Sequence, residues 1–139
     1  MKLYDVYGRP RSRRVTKYLI DWDKKSRSKL QFNVKQFLRG YWKNHIVYEE
    51  FPVYGTRLKV DIVNMTKKIA IEVQGAQHET FNKFFHNNSR STYLASIKRD
   101  AKKAEWLALN NFVIMYIYEK DVPKLSLDFF VDVYDHSIV

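Results

Sequence analysis

The chain has 139 residues, of which 45% are hydrophobic and 29% charged, so its length and composition predict one folded domain and exclude a disordered chain. No apolar run approaches the ~20 residues of a membrane span, and the first residues lack the apolar stretch of a secretory signal. The sequence has no cysteine, which excludes disulfides and zinc–thiolate sites and favours a cytoplasmic location.

The positive charge of the chain is concentrated in its first third. The formal net charge is +10, and residues 1–45 hold 13 basic and 3 acidic residues, whereas residues 46–139 hold 12 of each. Such a segment attracts polyanions over roughly a Debye length. We therefore expect nucleic acid as the partner, ahead of an acidic membrane or protein surface and ahead of a basic surface that serves only solubility.

Residues 1–27 predict a basic N-terminal arm, and residues 28–139 a single domain. Clustered arginines beside Gly8 and Pro10 suit contacts with phosphates or an arm inserted into a groove. The residues of the arm expected to bind nucleic acid are Arg9, Arg11, Arg13, Arg14 and Lys17.

A helix is predicted from Ser28 to about Gly40. Ser28 and Gln31 match a capping box, and glycine suits the far end. Lys29 and Lys35 fall outside the apolar stripe, so we expect both on a basic face that contacts nucleic acid. The apolar stripe itself, at helical spacing, consists of Leu30, Val34, Phe37, Leu38 and Tyr41.

Three strands are predicted next, over residues 46–53, 56–64 and 68–74. Apolar and polar residues alternate in the second and third strands, which predicts an antiparallel meander with one apolar face.

The second half of the chain predicts a helix over 93–110 and a strand over 112–118. The strand is apolar on both faces, so we expect it to be buried and central, reached by a helical crossover. Residues 126–135 form a final helix or strand, two alternatives that the pattern leaves open. The expected class is α/β (α+β).

The second predicted hairpin brings carboxylates together. The apolar positions of its two strands share a face only if the numbers of paired residues sum to an odd number. The predicted turn gives a sum near 133, which places Asp61 opposite Glu72. Gln74 follows Glu72 by two residues on the same face. Glu50 of the first hairpin falls on the same side, whereas Glu49 points toward the apolar side. Opposed carboxylates repel each other unless a cation lies between them or both are solvated. A solvated outer face is the alternative to a Mg²⁺ site.

Three further residues are candidates for chemistry. Asp100 lies inside the apolar arc of the helix over 93–110 and needs a partner, which is either structural or part of a metal site. Lys103 at the edge of the arc could reach a phosphate, and Arg99 flanks it on the surface. His78, just beyond the strand end, could accept a proton from an attacking water.

These residues resemble the motif of the PD-(D/E)XK nuclease superfamily. The run Val60-Asp61-Ile62, followed by residues 69–74 with Glu72, resembles the Asp on one strand and the Glu-x-Lys on the next. The stretch from Ile71 to His78, followed by the Arg-Asp-x-x-Lys of residues 99–103, is similar to a branch that contains very-short-patch repair and phage and intron homing endonucleases. The resemblance covers about residues 28–118 and implies a restriction-endonuclease-like core.

The resemblance also implies roles for individual residues. Asp61 and Glu72 would bind the metal, together with the backbone carbonyl of Val73. His78 would be the general base or a phosphate contact, and Asp100 would be its partner or a further ligand.

Two positions depart from the family pattern. Gln74 stands where many members have Lys, and Lys103 could supply the missing charge. Gln31 stands where the branch often has Glu, and Glu50 could supply that carboxylate.

The sequence thus predicts a Mg²⁺-dependent DNA endonuclease of homing, repair, restriction or junction-resolving type, with Mn²⁺ able to replace Mg²⁺. The substrate would be double-stranded or branched DNA, and DNA is favoured over RNA by the resemblance alone. One active site per chain implies a homodimer for double-strand cleavage. The expected location is the cytoplasm, that of the host if a phage encodes the protein. The alternatives are a non-catalytic nucleic-acid-binding protein with a degenerate nuclease fold and a structural protein of a nucleoprotein particle.

Overall fold

The computed structural model of the chain describes residues 1–75 and 90–139. These residues form three α-helices and two sheets, with single 3₁₀ segments after β2 and after β6. In chain order the elements are β1 (Lys2–Tyr4), β2 (Pro10–Ser12), α1 (Lys29–Trp42), β3 (Val47–Pro52), β4 (Lys59–Asn64), β5 (Ile69–Gln74), α2 (Arg90–Leu109), β6 (Val113–Tyr118) and α3 (Leu127–Tyr134).

The main sheet has the strand order β3-β4-β5-β6 and confirms a mixed α and β class. Strands β3, β4 and β5 form the predicted antiparallel meander, and the pairing of Ile62 with Ile71 confirms the predicted register sum of 133. Strand β6 joins β5 in parallel through α2, as the crossover predicts. The prediction that this strand is central is wrong, because β6 lies at the edge of the described sheet; helices, and not a second neighbouring strand, cover its apolar residues.

Side-chain caps explain where two helices begin. Ser28 Oγ accepts a hydrogen bond from the Gln31 N–H at 3.1 Å at the start of α1, as the capping pattern predicts. Ser126 Oγ accepts from the Phe129 N–H at 3.0 Å at the start of α3. The C-terminal segment is therefore a helix, and it ends at Asp135 in the left-handed conformation.

Both faces of the main sheet are buried, so the prediction of a single apolar face is wrong. One core packs α1 and α3 against Ile62 and Ile71. The other core packs α2 and the N-terminal segment against Val63 and Ala70, and includes the fully buried Trp106. Strands β4 and β5 can serve both cores because they carry apolar residues at adjacent as well as alternate positions.

The N-terminal segment is folded against α2 and is not a free arm. Trp106 Nε1 donates to the Tyr4 carbonyl at 2.7 Å, and the Tyr4 N–H donates to Asn110 Oδ1 at 2.8 Å. Leu3 and Val15 are buried in the same core. The basic residues of this segment therefore have fixed positions on the surface of the domain.

Helix α2 contacts the sheet mainly through its C-terminal half. The apolar spacing of this helix predicts that Leu94, Ile97 and Leu107 all face the core. Leu107 is buried, but Leu94 and Ile97 are 50% and 46% exposed, so the prediction is wrong for the N-terminal half of the helix. A helix of 20 residues is about 30 Å long, whereas a strand of six residues spans about 20 Å, so the helix extends beyond the strands. Within the two described ranges of the chain, none of the helices has the length and hydrophobicity needed to cross a membrane.

Candidate active site

Asp61 and Glu72 lie side by side where β4 and β5 separate. Regular pairing of the two strands ends at Ile62 and Ile71, and side chains replace the backbone hydrogen bonds beyond that point. The Asp61 N–H donates to Glu72 Oε2 at 3.0 Å, and the Val73 N–H donates to Asp61 Oδ2 at 2.8 Å. Both carboxylates are at least 95% buried. The predicted register thus brings the two predicted metal ligands together.

Burial and the neighbouring charge of Glu72 raise the pKa of Asp61 to about 8. The hydrogen bond from Val73 and the charges of Arg27 and Lys103 act in the opposite direction and do not compensate. A substantial fraction of Asp61 therefore holds a proton at neutral pH when no other cation is present.

Two basic side chains reach the carboxylate pair. Lys103 Nζ lies 2.6 Å from Glu72 Oε1, which agrees with the predicted place of Lys103 beside the site. Arg27 Nη2 lies 3.5 Å from Asp61 Oδ1, and 69% of the Arg27 side chain is exposed. Sequence reasoning missed Arg27, because it follows no periodic pattern and approaches Asp61 only through the packing of α1 on the sheet.

The carboxylate pair opens into a polar pocket with a volume of about 470 Å³. Helix α2 lines one side with residues at helical spacing, and another side is lined by Lys59 of β4 and by Arg57 of the turn before it. Arg57, Lys59 and Asp61 occupy alternate positions in the sequence. That alternation is visible in the sequence and could have identified both basic residues. The lining residues that were predicted for the site are Glu50, Asp61, Glu72, Val73, Gln74, Arg99, Asp100 and Lys103.

Glu50 lies opposite Asp61, because Glu49 pairs with Ile62 and Phe51 pairs with Val60. The backbone of Glu50 is left-handed, with φ 53°. It lines the pocket as predicted, but Glu50 Oε1 accepts a hydrogen bond from Gln31 Nε2 at 3.1 Å. Among the described residues, no group of three or more His, Cys, Asp or Glu side chains is placed to hold a metal ion. The predicted cluster of three carboxylates is therefore reduced to the pair of Asp61 and Glu72.

That pair fits Mg²⁺, which typically binds one or two carboxylates and completes its shell with water and phosphate oxygens. Asp61 and Glu72 both face the pocket, so solvent and substrate can reach the same space. Val73, the next residue of β5, lines the same pocket.

Lys35 is not a nucleic-acid contact, which corrects the prediction. Its side chain is fully buried, and Nζ donates to Glu49 Oε1 at 2.9 Å and to the Lys24 carbonyl at 2.8 Å. Position 35 follows Gln31 by four residues, and both lie on the side of α1 that faces β3. Gln31 Nε2 also donates to Glu49 at 2.9 Å, while Gln31 Oε1 is buried without a hydrogen-bond partner in the described part of the chain.

The other predicted nucleic-acid contacts are on the surface. Arg9 and Arg11 each pair with the buried Asp5, and their side chains are 59% and 55% exposed. The remaining exposed residues of this prediction are Arg13, Arg14, Lys17, Lys29 and Arg99. His78 lies outside the described residues, so its predicted role stays a prediction.

Comparisons with known proteins give little guidance to function. No protein-family model matches the chain, and no solved structure matches it. The chain is similar to the uncharacterized protein 033L of Invertebrate iridescent virus 3, with 33% identity over 52 residues. That stretch covers 37% of this chain and 27% of the viral protein, so the chain matches about a quarter of its relative's length.

Proposed function

We propose that the protein is a Mg²⁺-dependent DNA endonuclease with a restriction-endonuclease-like core. One observation carries the proposal: two buried carboxylates lie opposite each other on adjacent strands and open into a pocket with a basic rim. The basic residues that line this pocket are Arg27, Arg57, Lys59, Arg99 and Lys103.

The carboxylate pair is unfavourable for the fold alone. Opposed acids repel each other, and burial removes the water that would screen them. The raised pKa of Asp61 shows that a proton relieves part of this repulsion. Asp61 and Glu72, with the Val73 carbonyl, would hold a divalent cation, whose charge would offset this repulsion more completely. When bound, such an ion orients a water, lowers the pKa of that water and neutralises phosphate charge.

The residues around the pair are suited to hold a phosphodiester. Lys103 and Arg27, which pair with Glu72 and Asp61 in this structure, would donate to phosphate oxygens if a cation took over the charge of the two carboxylates. Lys59 at the start of β4 and Arg57 in the turn before it extend the positive surface of the pocket. Contacts of this kind fix the position of the backbone and do not select a sequence.

The proposal is tested by incubating the protein with Mg²⁺ and plasmid, single-stranded, branched or RNA substrates. We expect cleavage of DNA by the wild type, and Asp61→Asn and Glu72→Gln should each abolish it. The matched control is Asp23→Asn, which changes an exposed acid away from the pocket. Cleavage that persists in both pocket variants would contradict the assignment of the site.

A second candidate is a non-catalytic nucleic-acid-binding protein. The ion pair between Lys103 and Glu72, together with Gln74 in the place of a lysine, favours it. It predicts binding that weakens steeply with salt and no hydrolysis with any divalent ion.

Cleavage of both strands of a duplex requires two active sites, so we also propose a homodimer on DNA. Light scattering with an uncleavable duplex should give the mass of two chains per duplex.

A further inference from the structure

A second groove lies between the turn that joins β1 to β2 and helix α2, the helix that also lines the proposed active site. Its volume is about 320 Å³, at the lower end of the range for ligand pockets. The groove is partly apolar, and Tyr7 at its border is 70% exposed. Its lining consists of Val6, Tyr7, Lys102, Glu105, Trp106 and Leu109.

Asp5 holds the turn that carries Tyr7. Its carboxylate accepts hydrogen bonds from the backbone N–H groups of Tyr7 at 2.9 Å and Arg9 at 3.0 Å. The other oxygen of Asp5 pairs with Arg9 Nε at 3.3 Å and with Arg11 Nε at 3.2 Å. Gly8, with φ 79°, permits the tight path of the chain. Because Asp5 is 1% exposed and has four donors, the turn presents its side chains in a fixed arrangement.

The exposed ring of Tyr7 is supported by a cation. The guanidinium carbon of Arg9 lies 5.1 Å from the centroid of the ring. An exposed aromatic ring beside arginines is the arrangement with which proteins stack unpaired nucleobases while they hold the phosphates. Lys102 and Glu105 supply a donor and an acceptor at the opposite wall for the edge of a base.

The groove and the acidic pocket share helix α2, and a backbone hydrogen bond joins a second element of the pocket to the groove. Helix α2 places Lys102 in the groove and Lys103 in the pocket. The turn between β3 and β4 accepts a hydrogen bond from the Val6 N–H at the Tyr54 carbonyl, at 3.0 Å, and its Arg57 lines the pocket. Consecutive residues of one helix therefore line the two depressions.

We propose that this groove binds an unpaired nucleobase of the strand whose phosphates lie along the acidic pocket. The inference rests on the proposed nuclease function and specifies its substrate class as DNA with unpaired bases, such as gapped or branched DNA. A base inside a continuous duplex is stacked on both faces and is not available to Tyr7. Such a base reaches the groove only if it leaves the helix.

The test measures fluorescence anisotropy in EDTA, with a gapped duplex and a continuous duplex of the same length. Wild type should prefer the gapped duplex, and Tyr7→Leu should weaken binding to it about tenfold while leaving the continuous duplex unchanged. Tyr7→Phe keeps the ring and should retain the preference. Tyr41→Leu, at a half-exposed tyrosine of α1, is the matched control. A 2-aminopurine in the gap should be quenched by wild type and by Tyr7→Phe but not by Tyr7→Leu.

Three results would overturn the inference: equal affinity of wild type for the two duplexes, no effect of Tyr7→Leu, or an equal loss on both duplexes. Because these measurements exclude metal, they are independent of cleavage. Tyr7-dependent binding without Mg²⁺-dependent hydrolysis would reject the proposed enzyme but keep the base-binding groove. Hydrolysis without an effect of Tyr7→Leu would keep the enzyme but reject the groove.

Discussion

Two ion pairs between lysine and glutamate illustrate how a buried charge can serve the fold or a site. Lys35 and Glu49 form one, between α1 and β3, and Lys103 and Glu72 form the other, between α2 and β5. In the first pair, Glu49 also accepts from Ser26 Oγ at 2.6 Å and from Gln31, so both oxygens of its carboxylate have donors.

The second pair differs in its surroundings more than in its own geometry. Glu72 lies beside another carboxylate, Asp61, and both face a pocket of about 470 Å³. The Lys35–Glu49 pair is enclosed and its carboxylate is already bound, so it has no open side for a ligand. Asp61 and Glu72 carry like charges beside an open pocket, so a cation that enters the pocket stabilises them. The contrast separates a structural pair from a candidate metal site with the same residue types.

The largest effect is expected from Glu49→Ala, which leaves the fully buried ammonium of Lys35 with the Lys24 carbonyl and the Phe32 ring but without a carboxylate. Breaking a buried pair in this way costs about 3–5 kcal/mol of the free energy of unfolding. Urea denaturation measures the loss. A loss below about 1 kcal/mol would show that the structural pair is not as described.

Asp61→Asn should raise the free energy of unfolding, whereas Glu49→Ala should lower it. The pKa of Asp61 is higher in the folded protein than in the unfolded chain, so folding takes up a proton between pH 3.8 and about 8. Wild-type stability therefore falls as the pH rises through this window, and the variant lacks this decrease. We expect a gain of about 1–3 kcal/mol at pH 7 from the relieved repulsion. Equal pH slopes in urea denaturation of both proteins would contradict the raised pKa.

Mn²⁺ should stabilise the wild type by about 1.4 kcal/mol at ten times its Kd, which corresponds to about 5 °C in Tm. The shift should be larger at pH 8 than at pH 6, because Asp61 must lose its proton to bind the ion. Asp61→Asn should abolish the shift, and Asp23→Asn should retain it. A shift that survives Asp61→Asn would locate the ion elsewhere.

The smallest effect is expected from Arg39→Ala, which removes an exposed ion pair with Asp23. The Arg39 and Asp23 side chains are 43% and 80% exposed, although Nη1 lies 2.7 Å from Oδ1. Solvent screening limits such pairs to about 0.2–1 kcal/mol. Urea denaturation should show a change within that range, and a loss above about 2 kcal/mol would contradict the ranking of ion pairs by burial.

Local rules were sufficient to predict the meander and the carboxylate pair. The alternation of apolar residues in β4 and β5 fixes which residues oppose each other, so Asp61 and Glu72 follow from the register alone. The cap at Ser28 and the crossover to β6 also follow from local patterns and from the rules of chain connection.

Long-range packing decided the rest. Lys35 is buried only because Glu49 of β3 lies against α1, and no spacing within the helix encodes that contact. Trp106 holds the N-terminal segment through the Tyr4 carbonyl, a contact between residues about a hundred positions apart. Arg27 likewise depends on how the loop before α1 approaches the sheet. Each of these contacts joins elements whose sequences give no sign of each other.

The parallel pairing of β5 and β6 has a consequence for how the site is assembled during folding. The β4–β5 hairpin is local and carries both acids, but Lys103 arrives only when α2 has crossed over and β6 has docked on β5. Non-local pairings of this kind form late, because the chain must first close a long loop. The nascent hairpin therefore has two carboxylates in contact before the lysine that neutralises one of them arrives, so protons or divalent ions in the medium should accelerate folding of this chain as well as stabilise its folded state.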